Sequence, residues 1–238
     1  MIYHIETTTS TNDDARREQY REGDIIWAEH QTAGRGQRGH TWLSPEGANL
    51  TFSMVLEPRF LAVNNQFMLL EVIALALHDT FLKFGIDTRI KWTNDIYYED
   101  RKLVGILIEH FYSGGTLART IVGIGINVNQ TEFDPSLPNP VSMRQIAGRE
   151  FNREEVLHEF EHTMMDRYEE LQLHEVERIQ EDYHRLMYRL DEEHVFRLPS
   201  GEEFRATIRG VRPTGELKLA RKDGRTHDYL FKEVEFVL

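Results

Sequence analysis

The chain has 238 residues, 40% of them hydrophobic, with 28 Lys and Arg against 40 Asp and Glu, for a formal charge of -12. Binding along nucleic acid depends on neutralising phosphates with basic side chains, so this balance predicts no nucleic-acid partner and leaves room only for a local basic loop. The absence of cysteine excludes disulfides, thiolate nucleophiles and cysteine-ligated zinc. The opening Met1-Ile2-Tyr3-His4-Ile5-Glu6 lacks a basic region followed by an apolar stretch. The longest apolar run, Phe67 to Leu77, contains Glu71 and is too short to span a bilayer. A cytoplasmic protein without membrane attachment is expected, and the sequons at Asn49 and Asn129 are then chance matches.

In chain order, Ser10-Thr11-Asn12 precedes a polar stretch, Asp13 to Arg21, of helical character, with Ser10 placed to cap it. Ile25 to Glu29 reads as a short strand closed by Gln31. Asn49 to Leu56 alternates Leu50, Phe52, Met54 and Leu56 with Thr51, Ser53 and Val55, which predicts a strand with one buried face. From Gln66 the period changes: Phe67, Leu70, Ala74, Leu77, Phe81 and Phe84 recur at helical spacing, and Gly85 ends the helix. Three strands follow, Thr88 to Trp92, Lys102 to Phe111 and Leu117 to Val128, the last two joined by the turn Ser113-Gly114-Gly115. Residues 131–140 carry three prolines and read as loop. Asn152-Arg153-Glu154-Glu155 opens a helix with the apolar stripe Leu157, Phe160, Met164, Tyr168 and Leu171. A second helix runs from about Val176 to Leu190. From His194 short alternating strands punctuated by glycine predict a small barrel or sandwich, with the boundary near Asp191.

The segment Thr32 to Trp42 sets Gly34, Gly36 and Gly39 around Arg35 and Arg38. Glycine lets a backbone approach an anion closely, and arginine offers forked donors to phosphate or carboxylate. The spacing fits neither the Walker loop nor the dinucleotide fingerprint, and an ordinary surface loop is the alternative. Lys91-Trp92-Thr93-Asn94-Asp95 ends one strand, and Arg101-Lys102-Leu103-Val104-Gly105 opens the next. Lys102 is either a simple edge charge or a cation awaiting an anion. Gly123 and Gly125 share one face of a strand, where the loss of side chains implies close approach of a ligand or backbone.

Taken together in this order, the segments at Ser10, Gly34 to Trp42, Lys91 to Asp95, Arg101 to Leu107 and Gly123 to Asn127 resemble the biotin protein ligase family. The motifs cover about residues 5–130. The resemblance implies an α+β fold: a mixed catalytic sheet with flanking helices, of the class II synthetase type, over residues 1–190, then an SH3-like barrel over 191–238. It implies the single-function type, without the N-terminal DNA-binding domain. It also implies that Ser10, Thr11, Asn12 and Gln31 hold the ureido head of biotin, with the Gly123–Gly125 strand beneath the fused rings. Arg35, Gly36 and Gln37 would close over the biotin and its activated carboxylate. Lys102 would meet that carboxylate and the α-phosphate; Trp42 would pack on adenine near Asn127, and Asn94 and Asp95 would place ATP and Mg2+. Two positions depart from the family pattern in charge, Gln37 and His40, where some members carry arginine; Thr93 stands where proline is usual.

The implied reaction joins biotin to ATP as an acyl adenylate, releases pyrophosphate, then transfers the acyl group to a lysine of a biotin carboxyl carrier domain. Lys102, Arg35, Arg38 and Mg2+ would stabilise the phosphoryl charge, and no enzyme nucleophile is needed. No general base is assigned, and the enzyme is expected as monomer or homodimer. Three rivals are a lipoate ligase of the same fold, a non-catalytic biotin- or nucleotide-binding module, and a zinc hydrolase. The lipoate-type Arg-Arg-x-Ser-Gly-Gly-Gly loop is missing, and retention of Lys102 and Arg35 speaks against a module without chemistry. His158-Glu159-Phe160-Glu161-His162 matches the zinc pattern His-Glu-x-x-His, but it lies among acidic residues with the apolar stripe on another face.

Overall fold

The computed structural model describes residues 1–39 and 41–237; His40, Leu238 and the side chain of Arg38 lie outside that description. The elements run β1 (Ile2–Thr8), α1 (Thr11–Ala15), β2 (Ile25–Gln31), β3 (Leu50–Leu56), α2 (Gln66–Lys83), β4 (Arg89–Lys91), β5 (Asp95–Tyr98), β6 (Arg101–Ser113) and β7 (Thr116–Ile126). They continue with α3 (Met143–Ala147), α4 (Arg153–Gln172), α5 (Val176–Leu186), β8 (Glu193–Arg197), β9 (Glu203–Val211), β10 (Leu217–Ala220), β11 (Thr226–Tyr229) and β12 (Glu235–Phe236). The first sheet has the order β1-β2-β3-β7-β6-β5-β4. Only β1 and β2 run parallel, and every other neighbouring pair is antiparallel. The mixed sheet with helices is therefore present as expected.

Alternation along the central strands assigns its two faces. Leu50, Phe52 and Met54 pair across the ladder with Ile126, Ile124 and Val122, Leu56 faces Thr120, and all four leucine, phenylalanine and methionine side chains belong to the main apolar core. Helices α2 and α4 cover that face, with Phe52 and Phe160 rings 5.2 Å apart. Contrary to the expectation of one buried face, all seven residues of β3 are buried. The reason is its central place: on the other side Ser53 bonds Thr11 and Asn12 of α1, and Val55 packs with Ala15 and Tyr20.

Three elements were not legible in the sequence. In β1, Tyr3 and Ile5 pack beside Ile26 and Ile121, but polar neighbours interrupt the alternation; His4 stacks on Trp27 at 4.2 Å and bonds Glu29 at 2.8 Å. Strand β5 is short and takes its partner from β6, Ile96 facing Val104. Helix α3 has a reciprocal capping box between Ser142 and Gln145. Other boundaries moved inward. The polar stretch expected as helix to Arg21 keeps only α1; after the buried Ala15 the residues Arg16 to Gln19 are exposed, and Tyr20 alone docks without forming a helical face. Helix α5 likewise stops at Leu186 rather than Leu190.

The C-terminal strands form a five-stranded antiparallel sheet, order β11-β10-β9-β8-β12. This sheet is consistent with the expected SH3-like domain, although its end strands share no ladder among the described residues. Its Phe196, Ile208, Leu217 and Leu219 are continuous with the main core. Trp92 Nε1 donates to Gly215 O at 2.9 Å across the join. Among the described residues, no helix is long and apolar enough to cross a membrane.

Candidate functional site

The face of the sheet opposite α2 and α4 carries almost no side-chain bulk at its centre. Gly123 sits between Ser53 and Leu107, and Gly125 between Thr51 and Gly105, on three adjacent strands. A methyl group at any of the three glycines would collide with what lies above. At Gly105 it would meet the Trp42 ring at 2.8 Å; at Gly125 it would enter that ring, and at Gly123 the Asn12 amide. The two strand glycines read from the sequence thus form a floor together with Gly105, whose part was not foreseen. Its register opposite Gly125 is visible only once β6 and β7 are paired.

Above this floor lies a narrow cavity of about 50 Å³, walled by Ser10, Thr11, Asn12, Gln31, Arg35, Gly36, Gln37, Trp42, Asn94 and Lys102. Every one of these was singled out from the sequence. The head of the cavity is a fixed polar network. Ser10 holds the N-cap position of α1, yet its side chain makes no capping bond. The Thr11 backbone N–H donates to Gln31 Oε1 at 2.8 Å, and the Thr11 hydroxyl to the same oxygen at 3.2 Å. The Ser53 hydroxyl bridges Thr11 Oγ1 at 2.7 Å and Asn12 Oδ1 at 2.5 Å. Asn12 Nδ2 donates to Glu109 at 2.9 Å. Ser53 and Glu109 escaped the sequence reading, because a serine and a glutamate in strands carry no motif.

The loop after β2 is closed by a bridge between Arg35 and Thr41 and by the Trp42 N–H to Gly34 O at 3.0 Å. At Gly34 a Cβ would lie 2.5 Å from the Trp42 carbonyl oxygen, so glycine is required there. The Arg35 guanidinium donates to Asp13 at 2.8 Å and, more weakly, to Glu109 at 3.4 Å. Trp42 Nε1 and Gln37 Oε1 are buried without hydrogen-bond partners among the described residues. Orphaned polar atoms on a cavity wall are the places where a ligand completes the bonding. The expectations for Arg38 and His40 fall outside the described residues.

Lys102 stands where two cavities meet. It is not an edge charge: β6 lies between β5 and β7, and Lys102 is held at its entry by the Asn139 carbonyl at 2.7 Å and the Val141 N–H at 3.0 Å. Its ammonium pairs with Asp95 at 2.7 Å. Beyond it opens a second, largely apolar cavity of about 370 Å³, walled by Trp42, Asp95, Asn127, Phe133, Leu137 and Pro138. Here the proline-rich segment read as plain loop supplies a wall. Asn127 Nδ2 donates to Val141 O at 3.1 Å and Asn94 Nδ2 to Ile106 O at 2.7 Å, so both amides brace the frame. Lys91 is a cation behind Asp95. Its ammonium donates to Tyr97 at 3.1 Å, and burial pulls its pKa below the usual lysine range against the opposing pull of Asp95.

The family model described as the biotin/lipoate A/B protein ligase family matches residues 1–127, more than half of the chain. The chain belongs to that family. It is 42% identical over 120 residues to the bifunctional ligase/repressor BirA of Escherichia coli, covering 49% of this chain and 36% of BirA. It is 37% identical over 139 residues to a biotin–[acetyl-CoA-carboxylase] ligase of Paracoccus denitrificans, 56% of this chain and 57% of that protein. The chain thus spans between about a third and somewhat over half the length of these two relatives. A solved biotin protein ligase of Aquifex aeolicus, in complex with biotin and ATP, superposes with a TM-score of 0.84 at 25% identity over 99% of both chains.

In this member of the biotin/lipoate ligase family, the His-Glu-x-x-His match is a surface feature of α4. His158 and His162 are 57% and 74% exposed and pair with Glu161 and Asp166. Leu157, Phe160 and Met164 face the core instead. Among the described residues no group of three or more His, Asp or Glu is placed to hold a metal ion.

Proposed function

We propose that the protein activates biotin with ATP and transfers it through biotinyl-5'-AMP to a lysine of a biotin carboxyl carrier domain. The observation that carries this reading is the position of Lys102, whose side chain lines both a polar, glycine-floored cavity and an apolar one. A carboxylate must meet the α-phosphorus of a nucleotide, and both partners are anionic; one ammonium at the junction lowers their repulsion and aligns them. The solved Aquifex relative at 25% identity holds biotin and ATP together, which supports pairing the two cavities with these two substrates.

In this reading Ser10, Thr11, Asn12 and Gln31 take the head group by hydrogen bonds, and Gly123 and Gly125 admit its rings. Trp42 moves off Gly105 and Gly125 and packs its indole on the adenine, with Asn127 and the walls at Phe133 and Leu137 alongside. Asn94 keeps the frame of the junction. Lys102, Arg35 and Arg38 stabilise the charge that builds on the phosphoryl oxygens, and Arg35, Gly36 and Gln37 keep water from the anhydride. The carrier lysine then attacks the acyl carbon, and AMP leaves. The Asp95 carboxylate at the junction would help hold Mg2+ brought with the nucleotide, an ion that needs few protein ligands when phosphate is present. When bound the ion neutralises phosphate charge. Residues 1–190 form the catalytic part and 191–238 the C-terminal part.

Pyrophosphate exchange into ATP tests the reading. Exchange is expected with biotin and Mg2+, and none with lipoate. Exchange driven by lipoate but not biotin overturns it.

A further inference from the structure

Glu109 lies on the cavity side of β6, on the same face as Gly105 and Leu107 and opposite Ile121, yet it does not line the cavity itself. Its carboxylate accepts from Asn12 Nδ2 at 2.9 Å, from Arg16 at 2.6 Å and from Arg35 at 3.4 Å. Asn12 is a cavity residue and only 3% exposed. Its amide has two ends of opposite character, and which end faces the ligand is set entirely by its neighbours. Ser53 alone does not decide, since a hydroxyl donates or accepts. A carboxylate accepts only. With Glu109 on one side, Nδ2 must turn toward it, and Oδ1 is left above Gly123 beside the Ser53 hydroxyl.

We propose that Glu109 is a positioning residue that fixes the flip of the Asn12 amide, so that the cavity presents an acceptor to a head group bearing ring N–H donors. The proposal rests on the reading of the cavity as a biotin site, whose cyclic urea has such donors. Asn12 free to flip would offer Nδ2 hydrogens where an acceptor is needed, leaving a ligand N–H and an amide N–H opposed. In a closed cavity two facing donors cost more than a missing bond, because neither reaches water.

Two substitutions test the accept-only carboxylate and its reach. Glu109→Gln keeps the length but puts a donor end on a group that before could only accept; Glu109→Asp keeps the charge for Arg16 and draws the acceptor back by one methylene. Biotin binding to the full protein, measured calorimetrically without ATP, is expected to weaken about tenfold in Glu109→Asp, the size of one lost hydrogen bond. It is expected to weaken to a similar extent in Glu109→Gln, because Arg16 claims the one amide oxygen and a donor end is then turned toward Asn12. In the exchange assay the loss in Glu109→Asp should appear in KM for biotin, with kcat within about twofold. Arg16→Ala, which removes the shortest ion pair on Glu109 but leaves the bond to Asn12, should leave biotin binding unchanged. Biotin binding that falls as far in Arg16→Ala as in the Glu109 variants would mean that the carboxylate serves its arginines and not Asn12. Equal, normal binding in both variants also overturns the proposal. An unmodified protein that binds no biotin refutes the functional reading and this assignment with it; normal binding with insensitive variants refutes the assignment alone.

Discussion

Two ionisable side chains, one at the junction of the cavities and one in the core, are used in opposite ways. Lys102 is about one-third exposed and ion-paired with Asp95 at 2.7 Å, so a cation is maintained at the junction at modest desolvation cost. Lys102→Ala is expected to leave the fold intact and to lower biotin-dependent exchange roughly 10²–10³-fold, the ~3–4 kcal/mol typical of an electrostatic contact to developing charge. Near-normal exchange in a folded variant would return Lys102 to a structural role. Glu71 is the opposite case. It lies on α2 facing Tyr183, 2% exposed, with Oε2 unpartnered among the described residues, and burial pushes its pKa up to about 8. The folded protein therefore holds a proton that the unfolded chain releases above its ordinary pKa of 4.5. Stability contributed by this protonation is fully present below about pH 4.5 and is lost progressively up to about pH 8. Glu71→Gln removes that loss. The variant should gain ~2–4 kcal/mol over the parent at pH 8 and much less at pH 5, read from denaturant titrations at the two pH values. A gain of equal size at both would trace the effect to packing.

At the scale of elements, the strand glycines and the histidines of α4 show why the same local pattern means different things. Gly105 and Gly125 matter because β6 and β7 pair them side by side beneath Trp42. On α4 the histidine spacing fits a zinc motif, but the helix turns that face to solvent and its apolar stripe to α2. The double substitution His158→Ala with His162→Ala should leave biotin-dependent exchange within about twofold, since exposed residues away from the chemistry rarely matter. Loss of exchange that added zinc restores would overturn this.

For the molecule as a whole, the join between the two sheets is tight. Gly215 has φ +102°, in the region that disfavours any side chain, and a Cβ there would lie 2.6 Å from Phe67 Cδ2. His184 Nε2 meets the Val211 backbone N–H at 3.0 Å, and Trp92 bonds the Gly215 carbonyl. Gly215→Ala should therefore destabilise the whole protein by ~2–4 kcal/mol through backbone strain and overpacking, lowering Tm in a single transition. Two separated transitions, with only the smaller one moved, would show that the C-terminal sheet unfolds independently.

The sequence alone carried the identity of the family and most of the cavity wall. Ser10 to Asn12, Gln31, Arg35 to Gln37, Trp42, Asn94 and Lys102 stand in motifs whose residue types are chemically unusual for loops and strand ends, and all of them meet at one cavity. Periodicity likewise placed α2, β3 and α4, whose apolar spacing is strong. Strand β5 was not legible because its four residues are too few to carry a pattern, although its partners β4 and β6 flank it in the chain. Edge strand β1 and the true length of α1 were hidden because each is stabilised by a partner distant in sequence. The same reason hid Gly105, Ser53 and Glu109. A glycine becomes a floor, and a glutamate a positioning group, only through strand register and the side chain that happens to lie above it.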